Sequence, residues 1–284
     1  MLPQHMTATP LPFDPHEGAF LRALCATALD AGARIMQHYK NGVEAEEKSD
    51  KSPVTQADRD AEALIERALT ALAPNVQMIG EEACSERVPD TLAPHFFLVD
   101  PLDGTRDFVA KRKDFTVNIG LISGTKPVAG VIYAPVHEKL YFSGTDSAFM
   151  LPIAPDATLD MTRAKALRVP PFPDNGLGVL ASRSHRDKKT DALIKRLHVR
   201  DVIPAASSYK FCLLAEGRAD LYPRHGRTME WDTAAGHAIL NAAGGIVTCE
   251  DGAPLEYGKL ERALDNPSFI AAAHANWQDA LRIN

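Results

Sequence analysis

The sequence predicts a layered α+β and α/β sandwich. N-terminal helices should lie on a largely antiparallel sheet, followed by a mixed, mainly parallel sheet with helices. Three observations point there. Two helical periodicities open the chain, a run of strand-like segments follows in close succession, and the second half then alternates strand with helix.

Taken in order, residues 1–13 begin with a proline-rich stretch that lacks a basic-then-apolar leader pattern, and they read as a flexible tail. Asp14-Pro15-His16-Glu17 suits a helix start, with an Asp that can cap, a Pro for the first turn and a Glu three residues after the cap. Phe20, Leu21, Leu24, Ala28, Ile35 and Met36 keep helical spacing to about Tyr39. Residues 41–52 are polar and charged and predict a loop. Thr55 to Leu72 reads as a second helix that buries Leu64, Ile65, Ala68, Leu69 and Leu72. A short strand at Met78-Ile79 precedes Gly80, and further strands are expected at 95–99, 115–122, 127–133 and 138–143. Residues 151–175 are rich in Pro and Asp without a clear period, so a boundary falls there between an N-terminal half (14–155) and a C-terminal half (156–284). The second half predicts strands at 177–182, 200–203, 219–223, 246–249 and 268–273, and helices at 187–197, 208–216 and 232–243.

With 284 residues the chain can form one large domain or two ordinary ones, and 45% hydrophobic with 24% charged residues is ordinary globular composition. A net charge of -6 argues against a nucleic-acid partner but leaves a small anionic substrate open, because a metal reverses the local sign. Cys25, Cys84, Cys212 and Cys249 are far apart, so neither a zinc site nor a disulfide framework is signalled, and a reducing, cytoplasmic setting fits. No apolar run reaches the length of a membrane span.

Acidic residues stand in four unusual settings. Asp100 and Asp103, in Leu-Val-Asp-Pro-Leu-Asp-Gly-Thr, follow the apolar run His95–Val99, and Pro101 and Gly104 predict a tight turn that ends the strand at Asp100. Clustered oxygen ligands on a loop held by a core element suit a hard cation such as Mg²⁺. Glu81-Glu82 follows Gly80, Asp58 lies in the first turn of the second helix, and Asp232 opens a later one. Each also has a plain structural use: Asp58 as the far end of a capping box with Thr55, Asp232 at the positive end of a helix, Glu81-Glu82 as a solvated loop, and the 100–103 segment as a turn. The spacing fits neither an EF-hand, since the twelfth residue from Asp100 is Lys111, nor the D-x-D-x-T of a phosphatase with an aspartyl nucleophile.

Together the four settings, Asp58, Glu81-Glu82, Asp100-Pro-Leu-Asp-Gly-Thr105 and Trp231-Asp-Thr-Ala-Ala-Gly236, resemble the inositol monophosphatase superfamily of metal-dependent, lithium-sensitive phosphatases, in order and over about residues 18–275. The fold this implies is the inositol monophosphatase/fructose-1,6-bisphosphatase sandwich. Within the superfamily, Lys51–Asp58, Asp103–Phe108, Phe115–Ile119, Ser182–His185, Ser207–Phe211 and Leu221–Arg224 are most similar to the CysQ-type 3'(2'),5'-bisphosphate nucleotidase branch. Arg106-Asp107 departs from the small neutral residue and Asn usual in simple inositol monophosphatases, and Ala206 stands where the nucleotidase branch usually has Gly.

The resemblance implies that Glu81, Asp100, Asp103, Asp232 and the Leu102 carbonyl bind two or three Mg²⁺ ions. It makes Thr105 and Asp58 the pair that orients and deprotonates the attacking water. The phosphate would rest on the N–H groups of Gly104 and Thr105, within a substrate set that also takes in Glu81, Leu102, Asp103 and Asp232. Ser182, His185, Ala206 and Lys210 would lie near the nucleotide and its retained 5'-phosphate, with Arg224 adding charge. The bland alternatives are an exposed helix lysine for Lys210 and a loop residue for His185. The implied reaction is Mg²⁺-dependent hydrolysis of adenosine 3',5'-bisphosphate to AMP and phosphate, which supports sulfate assimilation. The resemblance also implies a homodimer and a cytoplasmic location, with peripheral attachment to the inner membrane as a variant. An inositol or histidinol phosphatase is the alternative within the class. A non-catalytic metal- or nucleotide-binding regulator is the alternative outside it, against which the presence of both Thr105 and Asp58 speaks.

Overall fold

A computed structural model of the chain describes residues 10–41, 45–47, 53–182 and 187–281. The elements in order are α1 (Gly18–Asn41), β1 (Ala45–Glu47), β2 (Pro53–Thr55), α2 (Gln56–Leu72), β3 (Gln77–Gly80), α3 (Glu81–Glu86), β4 (His95–Asp103), α4 (Thr105–Val109), β5 (Thr116–Ser123), β6 (Lys126–Ala134), β7 (Lys139–Ser143), β8 (Ala148–Pro152) and β9 (Lys165–Leu167). The second part runs β10 (Leu177–Ser182), α5 (Lys188–Arg196), β11 (Val199–Ala205), α6 (Tyr209–Ala215), β12 (Leu221–Arg224), α7 (Ala234–Ala242), β13 (Ile246–Cys249) and β14 (Phe269–Ala272).

The first sheet has the order β3-β4-β5-β6-β7-β8-β9, parallel only at β3–β4. The second has the order β11-β10-β12-β14-β13, with two parallel ladders, β10–β11 and β10–β12, and two antiparallel ones, β12–β14 and β13–β14. It is thus mixed as expected but evenly split rather than mainly parallel. Regular alternation of strand and helix cannot distinguish a crossover that returns parallel from one that lands beside the last strand and runs back.

Five layers result. Helices α1 and α2 cover one face of the first sheet, α6 and α7 fill the space between the sheets, and α5 with Trp277 covers the outer face of the second. Strand β4 shows why its sequence is an unbroken apolar run: Phe97 and Val99 enter the core under α1 and α2, while Phe96 and Leu98 enter the one shared with α6 and α7.

The late motif Trp231–Gly236 is a packing device as well as a carrier of Asp232. A Cβ on Gly120 of β5 would lie 2.7 Å from the Ala234 side chain, and one on Gly130 of β6 would meet the Ala235 backbone closer still. Small residues on both sides let α7 lie directly on the first sheet. This carries Asp232 from the second half of the chain to the end of β4.

Several segments depart from the sequence reading. Leu11 and Phe13, at the end of the expected tail, pack on the first core, with the Phe13 ring 4.4 Å from that of Phe20; residues 1–9 lie outside the described residues. Strand β1 occupies part of the stretch read as a loop and pairs with β2. Strands β8 and β9 extend the first sheet to Leu167, inside the stretch read as a boundary. Glu81-Glu82 begins helix α3 rather than a solvated loop. Both β9 and α3 are too short for a period to register.

Candidate active site

The predicted tight turn after Asp100 is instead a bulge. Asp100 pairs with Asn118 and Asp103 with Thr116, three steps on β4 against two on β5. Pro101 has no N–H to give the ladder, so the extra residue falls where pairing is already broken. Side chains three apart on a regular strand would point to opposite faces. The bulge resets the alternation, and Asp100, Leu102 and Asp103 all line one cleft of about 410 Å³. Gly104 then turns the chain into α4 with φ of 95°, and a Cβ there would lie 2.9 Å from the Asp114 carbonyl oxygen.

Glu81 from α3, Thr105 from α4 and Asp232 line the same cleft, so acids spread between residues 81 and 232 meet in one place. Each aspartate has one oxygen held by the chain's own donors. Asp58 Oδ2 accepts from the Thr55 N–H (2.8 Å) and hydroxyl (2.6 Å), while its Oδ1 lies 3.2 Å from the Thr105 hydroxyl. The capping box and the contact with Thr105 are therefore both present, one on each oxygen. Asp100 Oδ1 accepts from the Leu102 N–H (3.0 Å), and Asp232 Oδ2 from the Met229 N–H (2.9 Å). Asp103 Oδ2 accepts from the Ser208 N–H (2.5 Å) and lies 2.6 Å from its hydroxyl, with the Asn118 amide at 3.4 Å. The single Ser208 proton has a second acceptor, the Asp232 carbonyl at 2.5 Å, so Ser208 clasps the two acid-bearing segments together. Behind Asp232, the buried Glu230 carboxylate accepts from the Gly258 and Lys259 N–H groups (2.7 and 2.9 Å) and fixes the turn.

The electrostatics are those of crowded like charges. Burial first, then the charges of Glu81, Asp103 and Asp232, raise Asp100 well above the usual carboxylate range, and Glu81 hydrogen-bonds to it. Burial, Asp103 and Glu81 do the same to Asp232. Among the described residues no three His, Cys, Asp or Glu side chains close into a ready-made cage; the acids line the cleft walls instead. The donor set is oxygen only and strongly anionic, which fits a hard divalent cation and would suit zinc or copper poorly.

Of the remaining predicted residues, Ser182 at the end of β10, Ala206 and Lys210 line the cleft with Gly104. His185 lies outside the described residues. The backbone at Ala206 is not left-handed; the strained position is the next residue, Ser207, with φ of 52°. Lys210 is not an exposed helix lysine: it is 4% exposed, donates to the Ser207 carbonyl (2.6 Å) and sits 4.9 Å from the Tyr222 ring centroid. Burial pushes its pKa down to about 8, against the pull of Asp103, Asp114 and Asp232. Arg106, Arg224 and Arg227 line the same cleft. Ser208 and Asn118 carry no role in the sequence reading. The signal for Asn118 is an amide amid the apolar residues of β5; Ser208 offers none beyond its place before a helix.

The chain is similar to several known proteins. The model of the inositol monophosphatase family matches residues 18–282. The 3'(2'),5'-bisphosphate nucleotidase CysQ of Salmonella typhimurium is 39% identical over 251 residues, covering 88% of this chain and 98% of its own. Its counterpart from Haemophilus influenzae is 31% identical over 268 residues, 93% and 97% of the two chains. Among solved structures, CysQ from Bacteroides thetaiotaomicron superposes with a TM-score of 0.72 at 35% identity, covering 89% of this chain and 97% of that one.

Proposed function

The chain belongs to the inositol monophosphatase family, and from that premise we propose that it is a Mg²⁺-dependent phosphatase that removes the 3'-phosphate of adenosine 3',5'-bisphosphate, giving AMP and phosphate. The observation that carries this reading is the composition of the cleft. It holds five carboxylates, Glu81, Asp100, Asp103, Asp107 and Asp232, beside Thr105, and also four cationic side chains, Arg106, Lys210, Arg224 and Arg227. A substrate with a phosphate to lose and another to keep matches both sets.

Glu81, Asp100, Asp103, Asp232 and the Leu102 carbonyl would hold two or three Mg²⁺ ions. Bound magnesium supplies neutralising charge and Lewis acidity. Thr105 accepts a hydrogen bond from the attacking water at Oγ1 while donating its own proton to Asp58 Oδ1, 3.2 Å away. The alternative acceptor of that proton, the Leu102 carbonyl at 3.1 Å, is then left to face the cleft. The N–H groups of Gly104 and Thr105 receive the transferring phosphate, and displacement is in line, with no phospho-enzyme. Lys210, with Ser182 and Ala206 lining the same cleft, takes the retained 5'-phosphate, which replaces the solvation its ammonium gave up on burial; His185 belongs to the same set by resemblance alone. Positioning and charge neutralisation provide most of the acceleration. Consumption of this by-product supports sulfate assimilation; a cytoplasmic location and a homodimer complete the proposal.

The test is phosphate release with Mg²⁺ from adenosine 3',5'-bisphosphate, myo-inositol 1-phosphate and histidinol phosphate, repeated with lithium. Fastest release from the bisphosphate, with inhibition by lithium, is expected. Faster turnover of either other ester overturns the substrate assignment.

A further inference from the structure

Helix α3 starts at Glu81, and its N-cap residue, Gly80, offers no side chain to satisfy the open N–H groups. Two of them are satisfied from twenty residues away. Glu62 of α2 is 8% exposed; its Oε2 accepts from the Glu82 N–H (2.8 Å) and its Oε1 from the Ala83 N–H (2.9 Å). A buried carboxylate on the positive end of a helix is favourably placed.

Gly80 makes room for it. Its φ of −97° is ordinary extended backbone, so no left-handed conformation demands glycine here. A Cβ at this position, however, would lie 2.5 Å from both Glu62 Cδ and Oε2. The missing side chain is the space in which the Glu62 carboxylate sits.

Glu62 follows Asp58 by four residues on α2, so both project from one face of one helix. That helix is anchored by Ala57, Ala61, Ile65 and Leu69 in the core. Asp58 reaches Thr105, and Glu62 reaches the turn that begins with Glu81. One rigid element therefore sets the spacing between the proton acceptor and a cation ligand.

We infer that Glu62 is a positioning residue: by capping α3 it holds Glu81 in place for the divalent cation and in register with Asp58. This rests on the proposed metal-dependent function. Partners that orient metal ligands change metal affinity by about 10–100-fold when removed.

The test uses the full chain and Mn²⁺ as the probe, with free Mn²⁺ followed by electron paramagnetic resonance and melting temperature recorded alongside. Two variants approach the contact from opposite sides. Glu62→Gln keeps the shape but leaves one N–H facing an amide NH₂. Gly80→Ala leaves every titratable group intact and pushes the carboxylate aside. Both should raise the Mn²⁺ dissociation constant about tenfold or more. Both should also raise the Mn²⁺ concentration needed for half-maximal phosphate release, with kcat at saturating metal largely kept, a split that a general loss of structure does not give. Should one variant fail to fold, the other decides. Folded variants that bind Mn²⁺ like the parent overturn the role of Glu62 alone, whereas a parent protein that binds no Mn²⁺ overturns the metal-dependent reading and this role with it.

Discussion

Asp58→Asn tests the division of labour between the two carboxylate oxygens. Oδ2 accepts from the Thr55 N–H and hydroxyl, and Oδ1 faces the Thr105 hydroxyl. An asparagine can keep the capping box only by placing its oxygen where Oδ2 stands, because an NH₂ there would face the Thr55 N–H. The NH₂ then lies at the Oδ1 position and donates to Thr105 Oγ1. The Thr105 proton must turn to the Leu102 carbonyl, 3.1 Å away, and the chain from water to carboxylate loses its acceptor. General base catalysis contributes about 10²–10⁴-fold, which is about 2.7–5.4 kcal/mol in the barrier. The expected outcome is a fall in kcat of that size at saturating Mg²⁺, with a melting temperature close to the parent. Asp58→Ala should lose as much activity and, in addition, about 1 kcal/mol of stability with the cap. A folded Asp58→Asn protein that keeps kcat within about tenfold of the parent refutes the assignment of Asp58 as proton acceptor.

Two further outcomes follow from the charges in the cleft. Asp100 and Asp232 are raised above the carboxylate range, so their contribution to stability is full below the unfolded value and is lost as pH rises through the raised one. Mg²⁺ binds the deprotonated site, so its effect on melting temperature should be smallest on the acid side and grow as pH rises, reaching about 2.7 kcal/mol at a hundredfold excess over the dissociation constant; thermal scans with and without Mg²⁺ across pH check this, and a gain independent of pH contradicts it. Lys210 has its pKa lowered to about 8 and is charged below that pH, so KM for the bisphosphate should rise as pH increases through it. Lys210→Met should raise KM about tenfold or more, from the ~1.5–3 kcal/mol of a hydrogen bond to a charged group, and abolish that pH dependence; a variant with the parent's pH profile removes Lys210 from the substrate site.

What the sequence made legible was whatever left a long or a charged trace. Helix α2 and strand β4 carry strong periodic or apolar signals, and the acids at 58, 81, 100, 103 and 232 stand out by their settings. The geometry between them was hidden. Pro101 was visible, but its effect is a bulge that keeps β4 paired to Asp103, since the hydrogen bonds to β5 resume beyond it. Neutral side chains that hold the acids act through contacts far apart in sequence, Ser208 reaching Asp103 across 105 positions and Asn118 reaching Ser208 across 90, which no local pattern encodes. Glu62 carries no role in the sequence reading, because its partners, the Glu82 and Ala83 N–H groups beside Gly80, lie twenty and more positions away. The bland alternative for Lys210, an exposed helix lysine, fails because its seven-residue helix is buried on every side and has no polar face. The evenly mixed second sheet escaped because its topology is set by how β13 and β14 return past β12, not by the order of element types.

The most direct measurement is anomalous diffraction at the manganese edge from crystals grown with Mn²⁺. Peaks inside the cleft, ligated by Glu81, Asp100, Asp103 and Asp232, are the predicted result. Well-occupied peaks elsewhere, or a cleft with no peak beside Asp232, would contradict it.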